Sequence, residues 1–130
     1  MKWKKPLVLG LGILMSVAVA ACRTAPVMNI EEAPVTVTSK VSQKDIRNAI
    51  IRAGSSLGWR VKEIKPGHLQ ATLNVRSHMA KADIFYTTKS YSIKYKDSVN
   101  LKYDGSSIHS NYNGWIQRLD QAIQSQLAAL

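Results

Sequence analysis

The chain has 130 residues, with 18 Lys and Arg against 8 Asp and Glu, one cysteine and a formal charge of +10. That length holds one domain, a single cysteine excludes a disulfide framework or a multi-cysteine zinc or iron–sulfur site, and an apolar content of 45% excludes a disordered chain. The charge implies attraction to anionic surfaces and is silent on fold.

Lys2, Lys4 and Lys5 precede an uncharged run of 16 residues, Pro6 to Ala21, rich in Leu, Val, Ile, Ala and Gly. A basic start, an apolar stretch and small residues at its end match a secretory signal peptide, and the run is short of the roughly 20 residues a spanning helix needs. It ends Val19, Ala20, Ala21, Cys22. This resembles the lipobox of bacterial lipoproteins, and the chain's sole cysteine occupies the position to be acylated. The resemblance implies cleavage before Cys22, a diacylglyceryl thioether on its sulfur and an acyl chain on its new amine. Those chains together make a lasting membrane anchor, since stable anchoring takes about two. Arg23 follows where an Asp would favour retention in the inner membrane, so for a Gram-negative source the expected location is the outer membrane, facing the periplasm. Removing residues 1–21 leaves 109 residues and, with three lysines gone, a charge of +7.

Residues 22–41 show no strong period and carry Pro26, Pro34, Glu31 and Glu32. They read as a lipidated N-terminus and an extended tether, with Val35 to Thr38 as a candidate edge strand. Residues 42–130 read as one α+β domain. Ser42 to Leu57 is the first predicted helix: Ser42 and Asp45 have capping-box spacing, Ile46, Ala49, Ile50, Ala53 and Leu57 share a stripe, and Gly58 stops it. Trp59 to Ile64 is a strand and Lys65, Pro66 and Gly67 a turn. A second strand alternates Leu69, Ala71, Leu73 and Val75 with polar residues. A third carries Ala80, Ala82, Ile84 and Tyr86, and a fourth Tyr91, Ile93 and Tyr95. Val99, Leu101 and Tyr103 keep the same parity if a bulge or turn falls at Asp97 and Ser98. The last helix starts near Asn113, capped by Asn111 or Asn113, and aligns Trp115, Leu119, Ala122, Ile123, Leu127 and Leu130.

Helix, about four antiparallel strands in a meander, helix: with one apolar face per strand and one stripe per helix, this predicts a two-layer sandwich with both helices on one sheet face. The opposite face is open, and parity gives it Arg60, Lys62, Arg76, Lys81, Lys94 and Lys96, together with His68, Gln70, Thr72, Asp83 and Phe85. The plain reading is a solvated face. The functional reading is a surface for an anionic envelope component such as lipopolysaccharide phosphate, lipid headgroups or peptidoglycan carboxylates, or for an acidic envelope protein. An export signal argues against nucleic acid as the partner. His109, Asn111, Tyr112 and Asn113 form a candidate recognition loop, or more plainly the capped start of the last helix.

Catalytic patterns are poor. There is no nucleophile elbow, no paired carboxylates, no Gly-rich phosphate loop and no His-x-x-x-His, so no enzyme activity, metal or cofactor is expected. Beyond the signal, the stretches Ile51-Arg52-Ala53-Gly54 with Gly58-Trp59, Ser90-Tyr91-Ser92-Ile93 and His109 to Trp115 are similar to a small family of Gram-negative lipoproteins of unassigned function. That resemblance implies location and supplies no activity. The expected role is non-catalytic binding or support of an envelope component. The alternatives are an accessory subunit docking through Ile51 and Phe85 on a larger complex or, from another class, a cell-wall hydrolase.

Overall fold

Ser42 opens the first helix through a reciprocal cap. Its Oγ accepts from the Asp45 N–H at 3.1 Å while the Asp45 carboxylate accepts from the Ser42 N–H at 2.9 Å. The Ser42 backbone and hydroxyl bonds hold the Asp45 carboxyl below its ordinary range. In this computed structural model, which describes residues 23–37 and 39–130, the helix α1 runs Gln43–Ser56 and buries Ile46, Ala49, Ile50, Ala53 and Gly54. Gly58, at φ +91°, takes the left-handed turn that ends it, and Leu57 stays exposed. The signal segment 1–21 and Cys22 lie outside the described residues.

Two N-terminal strands, β1 (Thr24–Pro26) and β2 (Ile30–Pro34), precede α1. After it come β3 (Arg60–Lys65), β4 (His68–Val75), β5 (His78–Tyr86), β6 (Ser90–Val99), β7 (Ser107–His109) and the helix α2 (Ser110–Ala128). The main sheet has five antiparallel strands in the order β2-β6-β5-β4-β3, and β1 pairs with β7 in a small second sheet. Leu69, Ala71 and Leu73 of β4, Ala80, Ala82, Ile84 and Tyr86 of β5, and Tyr91 and Ile93 of β6 form one buried cluster. It also takes in Ile46 and Ile50 of α1 and Ile116, Leu119, Ile123 and Leu127 of α2. This is the expected α+β sandwich of two layers, helices on one sheet face. A hydrogen bond from the Tyr91 hydroxyl to Asp120 ties β6 to α2 across that core. Among the described residues, no helix is long and apolar enough to cross a membrane.

The segment expected to be a tether is instead built into the domain. Ile30 pairs with Ile93, and Ala33 with Tyr91. Three steps on β2 against two on β6 make a bulge, and Glu32 takes φ 51° within it. The strained loop is held by side chains: the Glu32 N–H donates to Ser92 Oγ at 2.9 Å, and Ser90 Oγ donates to Glu32 Oε1 at 2.8 Å. Asn29 Oδ1 accepts from the Tyr95 N–H at 2.9 Å. The edge strand therefore lies at Ile30–Pro34, earlier than the expected Val35 to Thr38, of which Thr38 is outside the described residues.

A second bulge lies in β6. Lys81 pairs with Asp97 and Ala82 with Tyr95, leaving Lys96 as the extra residue, one position before the expected site. Pairing then resumes in the other phase, so Val99 lies opposite Met79 and is 53% exposed, where unbroken alternation would have buried it. Leu101 is buried as expected, but Tyr103 is 39% exposed.

Gly54 shows how closely α1 meets the sheet. A Cβ there would stand 2.6 Å from Val61 Cγ2 on β3. In an open helix position Gly→Ala gains about 1 kcal/mol of propensity. Here the overlap should reverse the sign, so Gly54→Ala is expected to destabilise the domain by about 1–2 kcal/mol, the ordinary cost of overpacking. Urea unfolding checks it; a raised midpoint would mean that β3 yields freely.

Candidate functional site

Alternation sends every second side chain of β3, β4, β5 and β6 to the face the helices leave bare. The register then decides which of them meet. Arg60 lies opposite Thr72 and Lys62 opposite Gln70, while Lys81 lies opposite Thr72 from the other side. Arg60, Lys62 and Lys81, with Val61, Gln70 and Thr72, line a shallow hollow of about 340 Å³. Two cations come from the edge strand and one from the centre of the sheet. None of the three forms an ion pair among the described residues. Asp97, the register partner of Lys81, accepts from its own neighbour's Ser98 N–H at 2.8 Å.

The other three predicted face cations are placed differently. Lys94 does lie on this face, opposite Asp83, but its Nζ is 3.5 Å from Glu31 of the β2 edge, so its charge is matched. Arg76 is not on the face. It occupies the two-residue turn between β4 and β5 at φ 57°, a left-handed conformation that carries it off the sheet. Lys96 is the unpaired bulge residue and adds nothing to the hollow.

Beside the hollow, Asp83 is already satisfied. His68 Nε2 donates to Asp83 Oδ1 at 2.8 Å, and Gln70 Nε2 donates to the same oxygen at 3.3 Å. Phe85, 40% exposed, stacks on the His68 ring with centroids 4.5 Å apart. Parity placed all four residues on the face, but only the cross-strand register (His68 opposite Phe85, Gln70 opposite Asp83) shows that they form one patch. The lone aromatic expected on this face is thus a stacked partner. Ile51, the other residue considered for subunit docking, packs partly buried against the core.

The candidate recognition loop resolves into the start of a helix. Ser110 is the first residue of α2, and His109 caps it, its Nδ1 accepting from the Asn111 N–H at 3.1 Å. The expected caps are displaced, and Asn113 works elsewhere: its Oδ1 accepts from the Met28 N–H at 2.8 Å and its Nδ2 donates to the Pro26 carbonyl at 2.9 Å, clamping the turn between β1 and β2. Tyr112 is fully buried and presents nothing to a partner. It meets Tyr95 edge-on at 5.6 Å, and Tyr103 stacks on Tyr95 at 4.0 Å. Of the four loop residues only Asn111 is exposed.

Sequence reasoning missed a second, apolar hollow of about 190 Å³ between Leu57, Trp59, Leu73, Val75, Trp115 and Arg118. Its walls come from β4, α2 and the connection between α1 and β3, and no local pattern joins them. Among the described residues no group of three His, Cys, Asp or Glu side chains is placed to hold a metal ion.

The fold is thus an α+β sandwich whose open sheet face carries a basic hollow beside an aromatic patch. No protein-family model, no curated protein and no solved structure matches the chain.

Two tyrosines test the core beneath this face with opposite signs. The Tyr112 hydroxyl is buried without a hydrogen-bond partner among the described residues. Tyr112→Phe should therefore stabilise the domain by about 1 kcal/mol by removing an unsatisfied group, whereas Tyr91→Phe should cost about 1.5–3 kcal/mol by breaking a bond to a charged acceptor. Thermal or urea unfolding of both variants checks this. Burial first, then Asp120, pushes the Tyr91 phenol above its ordinary 10.0, and burial does the same for Tyr112. A raised folded value means stability is complete below pH 10 and is lost above it, so the wild type should weaken in alkali and Tyr112→Phe should weaken less.

Proposed function

We propose that the chain is a lipid-anchored envelope protein whose periplasmic domain binds a phosphate-bearing envelope component on its open sheet face and has no catalytic role. Anchoring is proposed through acylated Cys22, in the outer membrane. The observation that carries the binding reading is the convergence of Arg60, Lys62 and Lys81 on one hollow with no carboxylate pairing them among the described residues.

Phosphate suits that hollow chemically. A guanidinium offers a planar fork of donors, lysine ammoniums add charge from either side, and the Thr72 hydroxyl and Gln70 amide supply neutral donors at the wall. The neighbouring His68 and Phe85 pair gives a less polar shoulder against which a sugar or acyl portion of such a ligand can lie. A carboxylate ligand such as peptidoglycan uses fewer of these donors. A hydrolase is disfavoured because the part-buried acid of the face, Asp83, is already held by His68 and Gln70. Docking as an accessory subunit loses Ile51, which the core occupies.

Lys62→Glu with Lys81→Glu removes two cations and adds two anions. Each basic residue near an anionic surface is worth about 1 kcal/mol, so the double variant should bind lipopolysaccharide at least about tenfold more weakly in co-sedimentation at low salt. Binding unchanged by the double variant overturns the reading. Retained binding to dephosphorylated lipopolysaccharide would assign the contact to the sugar instead. Cys22→Ser should leave an unprocessed precursor on a gel of whole cells, and normal maturation would refute the anchor.

A further inference from the structure

The described chain begins at a defined point on the domain. The Arg23 carbonyl accepts from the Ser110 N–H at 2.9 Å, Thr24 pairs with His109, and the His109 N–H donates to the Leu101 carbonyl at 2.8 Å. One residue before Leu101, the Asn100 carbonyl accepts from His78 Nδ1 at 2.8 Å, and Asn100 Nδ2 donates to Ser77 Oγ at 2.9 Å. Arg23, Leu101, Asn100 and Ser77 therefore follow one another by hydrogen bonds around a single rim, the end of the sheet where β4 turns into β5 and β6 finishes.

That rim has a distinct composition. Arg76 sits in its β4–β5 turn and Lys102 follows Leu101; both are exposed and both are left-handed, at φ 57° and 56°. Arg23 is exposed beside them. Val99 and Tyr103, 53% and 39% exposed, belong to the same rim, Val99 opposite Met79 at the end of β6. The nearest acid in sequence, Asp104, is occupied: its Oδ1 accepts from the Ser106 and Ser107 N–H groups at 2.9 and 2.8 Å. Basic residues flanking an exposed tyrosine and an aliphatic side chain are the chemistry of a bilayer interface, where cations meet headgroup phosphate and an aromatic ring sits at headgroup level.

We infer that this rim is the surface the domain lays on the anionic bilayer that anchors it, with Arg23, Arg76 and Lys102 at the phosphates and Tyr103 and Val99 at the interface. The inference rests on the lipid-anchored reading of Cys22. One peptide bond joins Cys22 to Arg23, about 3.8 Å between Cα atoms. An extended tether of some 20 residues would have allowed a stand-off of roughly 60 Å. With β1 and β2 paired into the domain, that slack is gone, and the anchor pulls this rim and no other onto the membrane. The phosphate-binding hollow is then held above the headgroup plane. Lys81 lies four residues along β5 from Ser77, about 13 Å at the rise of a strand, so the hollow is open to components that project from the bilayer or approach it.

The test uses the full chain, produced in a Gram-negative host, extracted from its membranes and reconstituted into phosphatidylethanolamine vesicles containing phosphatidylglycerol. Ser77→Cys and Lys102→Cys place a fluorophore on the rim, and Thr88→Cys places one in the β5–β6 turn at the opposite end. A headgroup-attached quencher should quench both rim labels severalfold more than the label at 88. Arg76→Glu with Lys102→Glu should reduce quenching at 77, and Lys44→Glu, on the exposed side of α1, should leave it unchanged. Equal quenching at 77 and 88 on a chain whose N-terminal peptide carries diacylglycerol by mass spectrometry overturns the rim alone. An unmodified Cys22 overturns the anchor and the rim together, while the fate of the hollow is read separately from lipopolysaccharide binding.

Discussion

The constraint on which the rest depends is that β4, β5 and β6 offer one continuous apolar face. Leu69, Leu73, Ile84, Tyr91 and Ile93 lose contact with water only if something covers them, and the two helices supply the only long apolar stripes in the domain. Burying a large aliphatic side chain contributes about 1.5–3 kcal/mol, so a face carrying several of them outweighs any surface ion pair in deciding the architecture. Small residues at Ala71, Ala80 and Ala82 on the sheet and at Ala49, Ala53 and Gly54 on α1 let the layers approach closely. Once both helices are committed to that side, the other side must remain wet. The open surface lies there because packing has used up the alternative.

Alternation along β4 and β5 is strict, and for that reason the sandwich and the side chains those two strands send to its bare face were legible from residue order alone. What was not legible came from pairing between distant segments. Ile30 finds Ile93 and Ala33 finds Tyr91 across some sixty positions, and β2 itself has only those two partly buried side chains and a proline at its end. A strand with so little local pattern declares itself only when its partner is known. The β6 bulge was foreseen from the awkward inward parity of Asp97, but its placement at Lys96 decided which side Val99 would take. A one-residue displacement is enough to reverse every side chain beyond it.

The charges were read as a sum, and the structure sorts them. Six cations were expected to share a face, yet Lys94 is matched by Glu31, Arg76 turns away and Lys96 is the unpaired bulge residue. Three remain together because β3 and β5 flank β4 and aim alternate residues at Thr72. The helix start misled for a related reason. Asn111 and Asn113 are better caps than histidine by general preference, but Asn113 is recruited to hold the Pro26 and Met28 backbone, and His109 is left to close the helix. Tyr112, polar by composition, is held at the core by Tyr95 at the cost of an unpartnered hydroxyl.

These two long-range events bear on one another. Asn113 fixes the turn between β1 and β2, and Ser90 and Ser92 hold the strained Glu32 that ends the β2 bulge. The same Ser92 lies opposite Phe85, on the face whose neighbouring cations form the hollow. Glu31, carried by that bulge, is what removes Lys94 from the set. The N-terminal segment thus performs two tasks with one conformation. It fixes where the chain leaves the domain, and it narrows the positive face to Arg60, Lys62 and Lys81. A flexible tether would have left both undetermined: the chain could leave the domain in any direction, and Lys94 would extend the positive charge towards the sheet edge. Because β2 is bulged and short, it is also a poor template for further strand addition. The opposite edge of the sheet is β3, which presents Arg60 and Lys62 at the mouth of the hollow.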